Sequence, residues 1–334
     1  MKAHRYAFLT MVVTILTLST ILLTNSLKAQ EKPLVVVYAK GLMEEDIYLK
    51  WMMGNVTEVQ WKVYTEKLTY DDIKDAKMLI LVLVDPTMTF TDSEIAAIKK
   101  WLDDGGKTLW VTGDSDYKMD SKRVEAANKV LEAIGSRLRN EHCEATDVKS
   151  NCGKDYRVAA IIDPDEALDF LKVSKPVLFH GPGPIIAYEN GKYIPLEKKV
   201  PKGIYRIAWT SDGGRIAEFT APRPEVHEIG AQGKFVLMAV EVFPKDNLII
   251  VSGESPIDHY RGMWIDVYHE VELDGPAFVK NIILWGVGLK GKRVPKAIPW
   301  IPIAVGVIVV IVVVVVLLIK FGKMPIPVKA KSVS

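Results

Sequence analysis

The alternation of apolar and polar positions is clearest between Lys77 and Tyr117. Met78 to Val84 is an unbroken apolar run of strand length, too short for a buried helix, and it predicts a strand covered on both faces. The spacing then changes. Ile95, Ile98, Trp101 and Leu102 fall on one face of a helix that Thr91 is placed to cap, with Glu94 three residues on to complete a capping box. Gly105 and Gly106 stop that helix by supplying the left-handed conformation other residues resist, and a second short apolar run begins at Thr108 to Thr112. Two buried-type strands joined by one helix imply a right-handed βαβ crossover.

The same alternation extends to either side. Leu34 to Tyr38 and Val56 to Tyr64 read as strands with a helix near Met43 to Met53 between them, and Leu68, Thr69 and Asp72 begin a helical turn. Ser121 to Leu138 carries Val124, Val130, Leu131 and Ile134 at helical spacing and ends near Gly135. The second half is less regular. Tyr156 to Ile162 reads as a strand and Asp165 to Lys172 as a short helix, after which HGPGP, ENGK, VPKG and SDGG punctuate short segments, with Asn190-Gly191 the best hairpin signal. Phe235 to Phe243 and Leu248 to Ser252 are strands again, and Gly275 to Val287 is a helix with Phe278, Ile282 and Trp285 in one stripe. The expected fold class is α/β, a doubly wound, mainly parallel sheet with β-hairpin insertions.

Both ends of the 334-residue chain depart from this pattern. Lys2, His4 and Arg5 precede an apolar run from Ala7 to Leu23, so residues 1–29 read as a signal peptide or an N-terminal anchor. Residues 300–319 lack charge over a length that spans a bilayer as a transmembrane helix, behind a juxtamembrane linker at 292–299. Lys320, Lys323, Lys329 and Lys331 follow without an acidic residue, as suits a cytoplasmic tail at 320–334. Lys290, Lys292, Arg293 and Lys296 precede the span and weaken that asymmetry, so the leader carries more of the orientation. The expected location is the cell membrane, crossed once, with an ectodomain at 31–291 outside the cytoplasm.

Charge changes the picture of that ectodomain. Three of the 43 basic residues lie in the first thirty positions and four follow the span, whereas all 41 acidic residues lie between, so the intervening segment is acidic although the whole chain has a net charge of +2. An acidic ectodomain offers nucleic acid no electrostatic footprint. The expected partners are the bilayer and another membrane or surface protein. Cys143 and Cys152 stand nine apart in EHCEATDVKSNCG, a spacing read as a local disulfide in an oxidising exterior, with a redox or metal pair as the alternative. Asn55-Val56-Thr57 is a glycosylation sequon.

A strand ending in Asp85-Pro86, a capped helix ending in Asp104-Gly105-Gly106, and a strand ending in Thr112-Gly113-Asp114-Ser115 together resemble the class I glutamine amidotransferase-like superfamily. The resemblance is closer to its catalytically silent, membrane-anchored branch, which includes the auxiliary component of gliding-motility ABC transporters and a lumenal subunit of eukaryotic oligosaccharyltransferase. The late strand LIIVSGES and the helix PAFVKNIILWGVG match that branch as well, so the resemblance covers about residues 34–290. It implies a flavodoxin-like or amidotransferase-like α/β ectodomain and an accessory role in a membrane transport or glycan-transfer complex.

Enzymes of that superfamily place a cysteine nucleophile on the turn that here reads Thr112-Gly113-Asp114-Ser115-Asp116, which has none. Two enzymatic alternatives stand beside the non-catalytic reading, a surface hydrolase using Ser115 or a metal held in the loop from Asp258 to Glu270, where His259, Asp266 and His269 also lie. Asp114 and Ser115 also suit the capping of a following helix. The literal Gly286-x-Gly288-x-x-Gly291 follows a helix instead of opening one, and the prolines of HGPGP lack the amides a phosphate cradle needs, so no cofactor is expected. The functional surface is expected where the parallel strands end, at Asp85, Asp114, Ser115, Asp116, Glu254 and Ser255, an acidic crevice suited to a cation or a basic or polyhydroxylated partner.

Overall fold

The computed structural model describes residues 31–217, 219–257 and 262–293; the chain divides into two compact units, 1–291 and 292–334, and all the elements below belong to the first. The chain first builds β1 (Leu34–Lys40), α1 (Ile47–Asn55), β2 (Gln60–Tyr64), α2 (Tyr70–Ile73), β3 (Ala76–Leu83), α3 (Asp92–Asp103), β4 (Thr108–Thr112) and α4 (Ser121–Ile134). Shorter strands follow: β5 (Leu138–Asn140), β6 (Glu144–Asp147), β7 (Arg157–Ile162), β8 (Val177–His180), β9 (Ile185–Glu189), β10 (Lys192–Pro195), β11 (Ile204–Trp209), β12 (Gly214–Ala217) and β13 (Gln232–Gly233). The long pair β14 (Val236–Phe243) and β15 (Asn247–Ser252), the small pair β16 (Val267–Tyr268) and β17 (Val271–Glu272), and α5 (Gly275–Gly286) complete it.

Nine of these strands form one sheet in the order β2-β1-β3-β4-β15-β14-β11-β7-β8. The first five run parallel and the remaining pairings are antiparallel. The sheet is therefore mixed, and the expectation of a mainly parallel one holds only for its first half. The reason is connection length: only Pro244–Asp246 separates β14 from β15, and a link that short joins antiparallel strands. The expected hairpin at Asn190-Gly191 joins β9 to β10, both residues taking positive φ (54° and 77°) as a tight hairpin turn requires.

Strand alternation sends Leu79, Leu81, Leu109, Val111, Ile249 and Val251 to one core, where α3 contributes Ile98 and Trp101 and α4 contributes Val130 and Leu131. Met78 and Thr108 face the opposite way, toward α5, whose Gly286 carbonyl accepts from Thr108 Oγ1 at 2.7 Å. Helices thus pack on both faces of the mixed sheet. The capping box forms as read: Glu94 N donates to Thr91 Oγ1 (3.3 Å) and Thr91 N to Glu94 Oε2 (2.8 Å). Glu94 has a second task, since its buried carboxylate also pairs with Lys40 Nζ at 2.7 Å and accepts from the Tyr38 hydroxyl at 2.5 Å. Burial alone pushes this carboxyl up, but the Lys40 and Tyr38 bonds outweigh it and hold the group below its ordinary value.

The expected disulfide between Cys143 and Cys152 is not seen. Cys143 and Cys152 are both free and buried. Their segment is not a simple polar loop, because β6 lies between them and pairs with β12, a partner some seventy residues away. Cys152 settles among Ala159, Leu178 and Leu273. The expected leader, transmembrane helix and tail lie outside the described residues. Among the described residues no helix is long and apolar enough to cross a membrane.

One substitution pair tests how tightly the sheet's carboxyl end is packed. A β-carbon on Gly253 would stand 1.9 Å from the Gly183 carbonyl oxygen, whereas one on Gly54, inside α1, meets nothing within 4 Å. Gly253→Ala is expected to cost at least about 1–3 kcal/mol in denaturant unfolding. Gly54→Ala should instead gain roughly 0.5–1 kcal/mol.

Candidate functional site

Three turns meet where β4 and β15 end. Gly113 N donates to Ser252 O at 2.7 Å, which joins TGDSD to SGES along adjacent parallel strands. The HGPGP turn enters against both. A β-carbon on Gly183 would stand 2.3 Å from Asn140 Nδ2 and from Asp114 O, and one on Gly113 would stand 2.0 Å from Asn140 Oδ1. Asn140 Oδ1 also accepts from Asp114 N at 3.0 Å, so this amide pins the β4 turn beside the incoming one. Glu254 holds the other side, its carboxylate accepting from His180 N and Ser255 N, both at 2.6 Å.

The expected site residues divide by what binds them. Asp114 and Ser115 border an open cavity of about 630 Å³. Asp116 is buried behind it, one carboxylate oxygen accepting from Phe219 N (2.7 Å) and Thr220 N (2.8 Å). Glu254 and Ser255 are buried in the turn they brace. Asp85 stays at the end of β3 and accepts from Thr87 N and Oγ1, a local turn that holds its carboxyl below the ordinary range. The helix-capping reading of Asp114 and Ser115 does not hold, because α4 begins only at Ser121; Asp114 Oδ1 accepts from Ser115 N and Ser115 Oγ from Tyr117 N.

The crevice is also less acidic than its sequence. Arg123, buried on α4, donates to the carbonyls of Leu83 and Val84 and pairs with Asp114 (3.2 Å) and Asp120. One guanidinium thereby ties the end of β3 to the turn after β4 and offsets the carboxylates nearest the sheet.

The cavity draws most of its other walls from residues that sequence reading passed over. Glu144 on β6, Asp155 and Tyr156 before β7, His180 on β8, and Arg215 and Phe219 on and after β12 all line it. Glu144 is distinctive. The residue is 3% exposed, and its Oε1 has no hydrogen-bond partner among the described residues. Burial, followed by the charges of Asp116, Asp155 and Asp120, pushes its pKa up to about 8, so near neutrality it carries a proton. Nothing local in EHCEAT signals this, since Glu144 is buried only because β6 pairs with β12.

A strap, residues 219–231, closes one side of the cavity through Phe219 and Gly230. It is fastened at two points by buried acids, Asp116 at its start and Glu141, whose Oε1 accepts from Val226 N (2.7 Å) and His227 N (2.9 Å). Two histidine pairs sit at the second point. His142 Nδ1 lies 2.6 Å from Glu225, while His227 bonds Glu141 through Nδ1 and Glu197 through Nε2 at 3.1 Å.

Of the enzymatic alternatives, the Ser115 hydroxyl has Tyr117 N as its bonded neighbour, and no base is joined to it among the described residues. The Cys143 thiol is pushed well up by burial and nearby acids, away from the thiolate form. In the proposed metal loop Asp258 and His259 lie outside the described residues; His269 and Glu270 form the turn between β16 and β17, both with positive φ. Among the described residues no three His, Cys, Asp or Glu side chains are grouped to hold a metal ion. Asn55 is exposed at the end of α1, its Nδ2 donating to Trp51 O at 2.8 Å.

No family model matches the chain, and no curated protein matches it. Among solved structures, that of the mmIFT52 N-terminal domain is similar, with a TM-score of 0.49 and 11% sequence identity over 76% of this chain and 97% of that one.

The histidine pairs predict a pH dependence. Burial lowers the His227 pKa, but Glu141 and Glu197 outweigh it and raise the group to about 9, above its ordinary value near 6.5. A raised folded-state pKa means that the stabilisation is fully present below about 6.5 and is lost as pH rises through 9. Glu144 titrates in an overlapping range, so the comparison is differential: the melting-temperature gap between wild type and His227→Gln should narrow steadily from pH 6.5 to 9.5, and a constant gap would show that the pair contributes nothing.

Proposed function

We propose that this chain is a non-catalytic, membrane-anchored surface protein whose crevice binds a ligand or a partner group. The observation that carries this reading is the 630 Å³ cavity at the carboxyl end of the parallel strands, where an open α/β sheet presents its free loops. Its lining mixes aromatic faces (Tyr117, Tyr156, Phe219) with polar groups (Glu144, Asp155, His180), a composition that recognises and orients a guest. The partners of Ser115 support binding over hydrolysis, because an attacking hydroxyl requires an adjacent base. The anchoring rests on the apolar segments at both ends of the sequence, and an accessory role in a transport or glycan-transfer complex rests on the family resemblance.

Two measurements test this. The first fills the cavity without removing a charge: Ala217→Trp, on its wall, should abolish recovery of the partner from solubilised membranes while the melting temperature stays within a few degrees of wild type. Undiminished recovery would place the binding surface elsewhere. The second addresses topology, with residues 31–298 external and 320–334 cytoplasmic. Protease added to intact cells should remove the ectodomain and leave a tail epitope protected; a protected ectodomain contradicts the anchoring.

A further inference from the structure

We propose that this cavity receives a primary alkylammonium group, from a free amine or a lysine side chain, with Glu144 taking the charged head and the aromatic rings flanking the alkyl chain. This rests on the reading of the cavity as a ligand site and adds the ligand's chemistry. The first ground is Glu144 Oε1, a buried carboxyl oxygen of a cavity-lining residue, without a hydrogen-bond partner among the described residues. Buried polar groups are nearly always satisfied, so one left open toward a cavity points to a donor that the guest brings. Gly181 leaves room for that donor. A β-carbon there would stand 3.8 Å from both Glu144 Oε1 and Ser115 Oγ, so the two oxygens border one small space and offer two acceptors to a single NH₃⁺.

The second ground is the charge around that space. Asp116 and Asp120, from the segment before α4, and Asp155, from the turn before β7, act on Glu144, while His180 of β8 and Arg215 of β12 line the same cavity. The three aspartates, together with burial, keep Glu144 protonated at neutral pH, and a cation reverses that balance. The exchange is Glu144–COOH + R–NH₃⁺ → Glu144–COO⁻···⁺H₃N–R + H⁺, with the proton released to solvent. Tyr117 and Phe219 meet edge to face with ring centroids 5.2 Å apart, and such rings accept both a methylene chain and a nearby cation. The volume exceeds what a bare ion occupies and suits a chain of several atoms.

Calorimetric titration of the detergent-solubilised full chain decides the matter, using putrescine, a trilysine peptide and glucose as probes at pH 6, 7 and 8. Repeating the pH 7 titration in two buffers of different ionisation enthalpy counts the protons released. The expected result is amine binding that strengthens about tenfold from pH 6 to 7, with close to one proton released at pH 7. Glu144→Gln should weaken amine binding at least about tenfold at pH 8 and flatten the pH profile. Should that variant fold poorly, Phe219→Ala serves instead, with weaker amine binding and an unchanged pH slope. Preference for trilysine over putrescine identifies a lysine side chain as the source, and the reverse a free amine. Amine binding without proton release overturns the role of Glu144. Glucose binding without amine binding overturns the ligand class but leaves the cavity a ligand site. Silence from all three probes overturns the inference, while recovery from membranes with Ala217→Trp judges the wider reading separately.

Discussion

At the carboxyl end of the sheet the Gly183 carbonyl oxygen lies 1.9 Å from where Gly253 would carry a β-carbon, and the side chain of Asn140 fills the equivalent space beside Gly113. The turns after β4 and β15 and the turn after β8 are thus interlocked through bare backbone. Because β8 lies at the far edge of the mixed sheet, this contact is what brings its loop back over the ends of the parallel strands. The cavity exists between that returning turn and β12, and Glu254 and Asn140 secure it through hydrogen bonds to main-chain amides. A side chain at this junction would separate the walls before it altered any group that lines the cavity.

The buried acids show how environment divides one residue type into distinct roles. Glu94 meets an ammonium, a phenol and a helix amide, stays ionised, and fastens α3 to β1. Glu141 is bonded by two main-chain amides and an imidazole and fastens the strap. Glu144 meets other acids instead of donors and keeps its proton. The donors that hold a carboxylate ionised surround the first two and are absent from the described surroundings of the third, which is why Glu144 alone among them keeps its proton.

Local signals in the sequence were enough to read β1, β3, α3, β4, α4 and the 190–191 hairpin, because apolar period, capping residues and glycine stops act within a few positions. The convergence of Asp114 and Ser115 with Glu254 and Ser255 was also legible, since parallel strands must end on the same edge. What escaped depends on distant pairing. The β6 register against β12 buries EATD, and Asn140 and Gly183 meet across more than forty residues. Net charge also misled: the acidic stretch is compensated by Arg123, whose position on α4 is readable but whose reach to Asp114 and two carbonyls is not.

The strap is held at both points through its own main-chain amides, from Phe219 and Thr220 to Asp116 and from Val226 and His227 to Glu141. An amide proton is the same whichever residue carries it, proline excepted. Over evolutionary time the strap is therefore free to exchange the side chains it shows to the crevice without losing its moorings. The two acids and the path of the loop set where the strap runs, and its side chains set only what the cavity wall is made of.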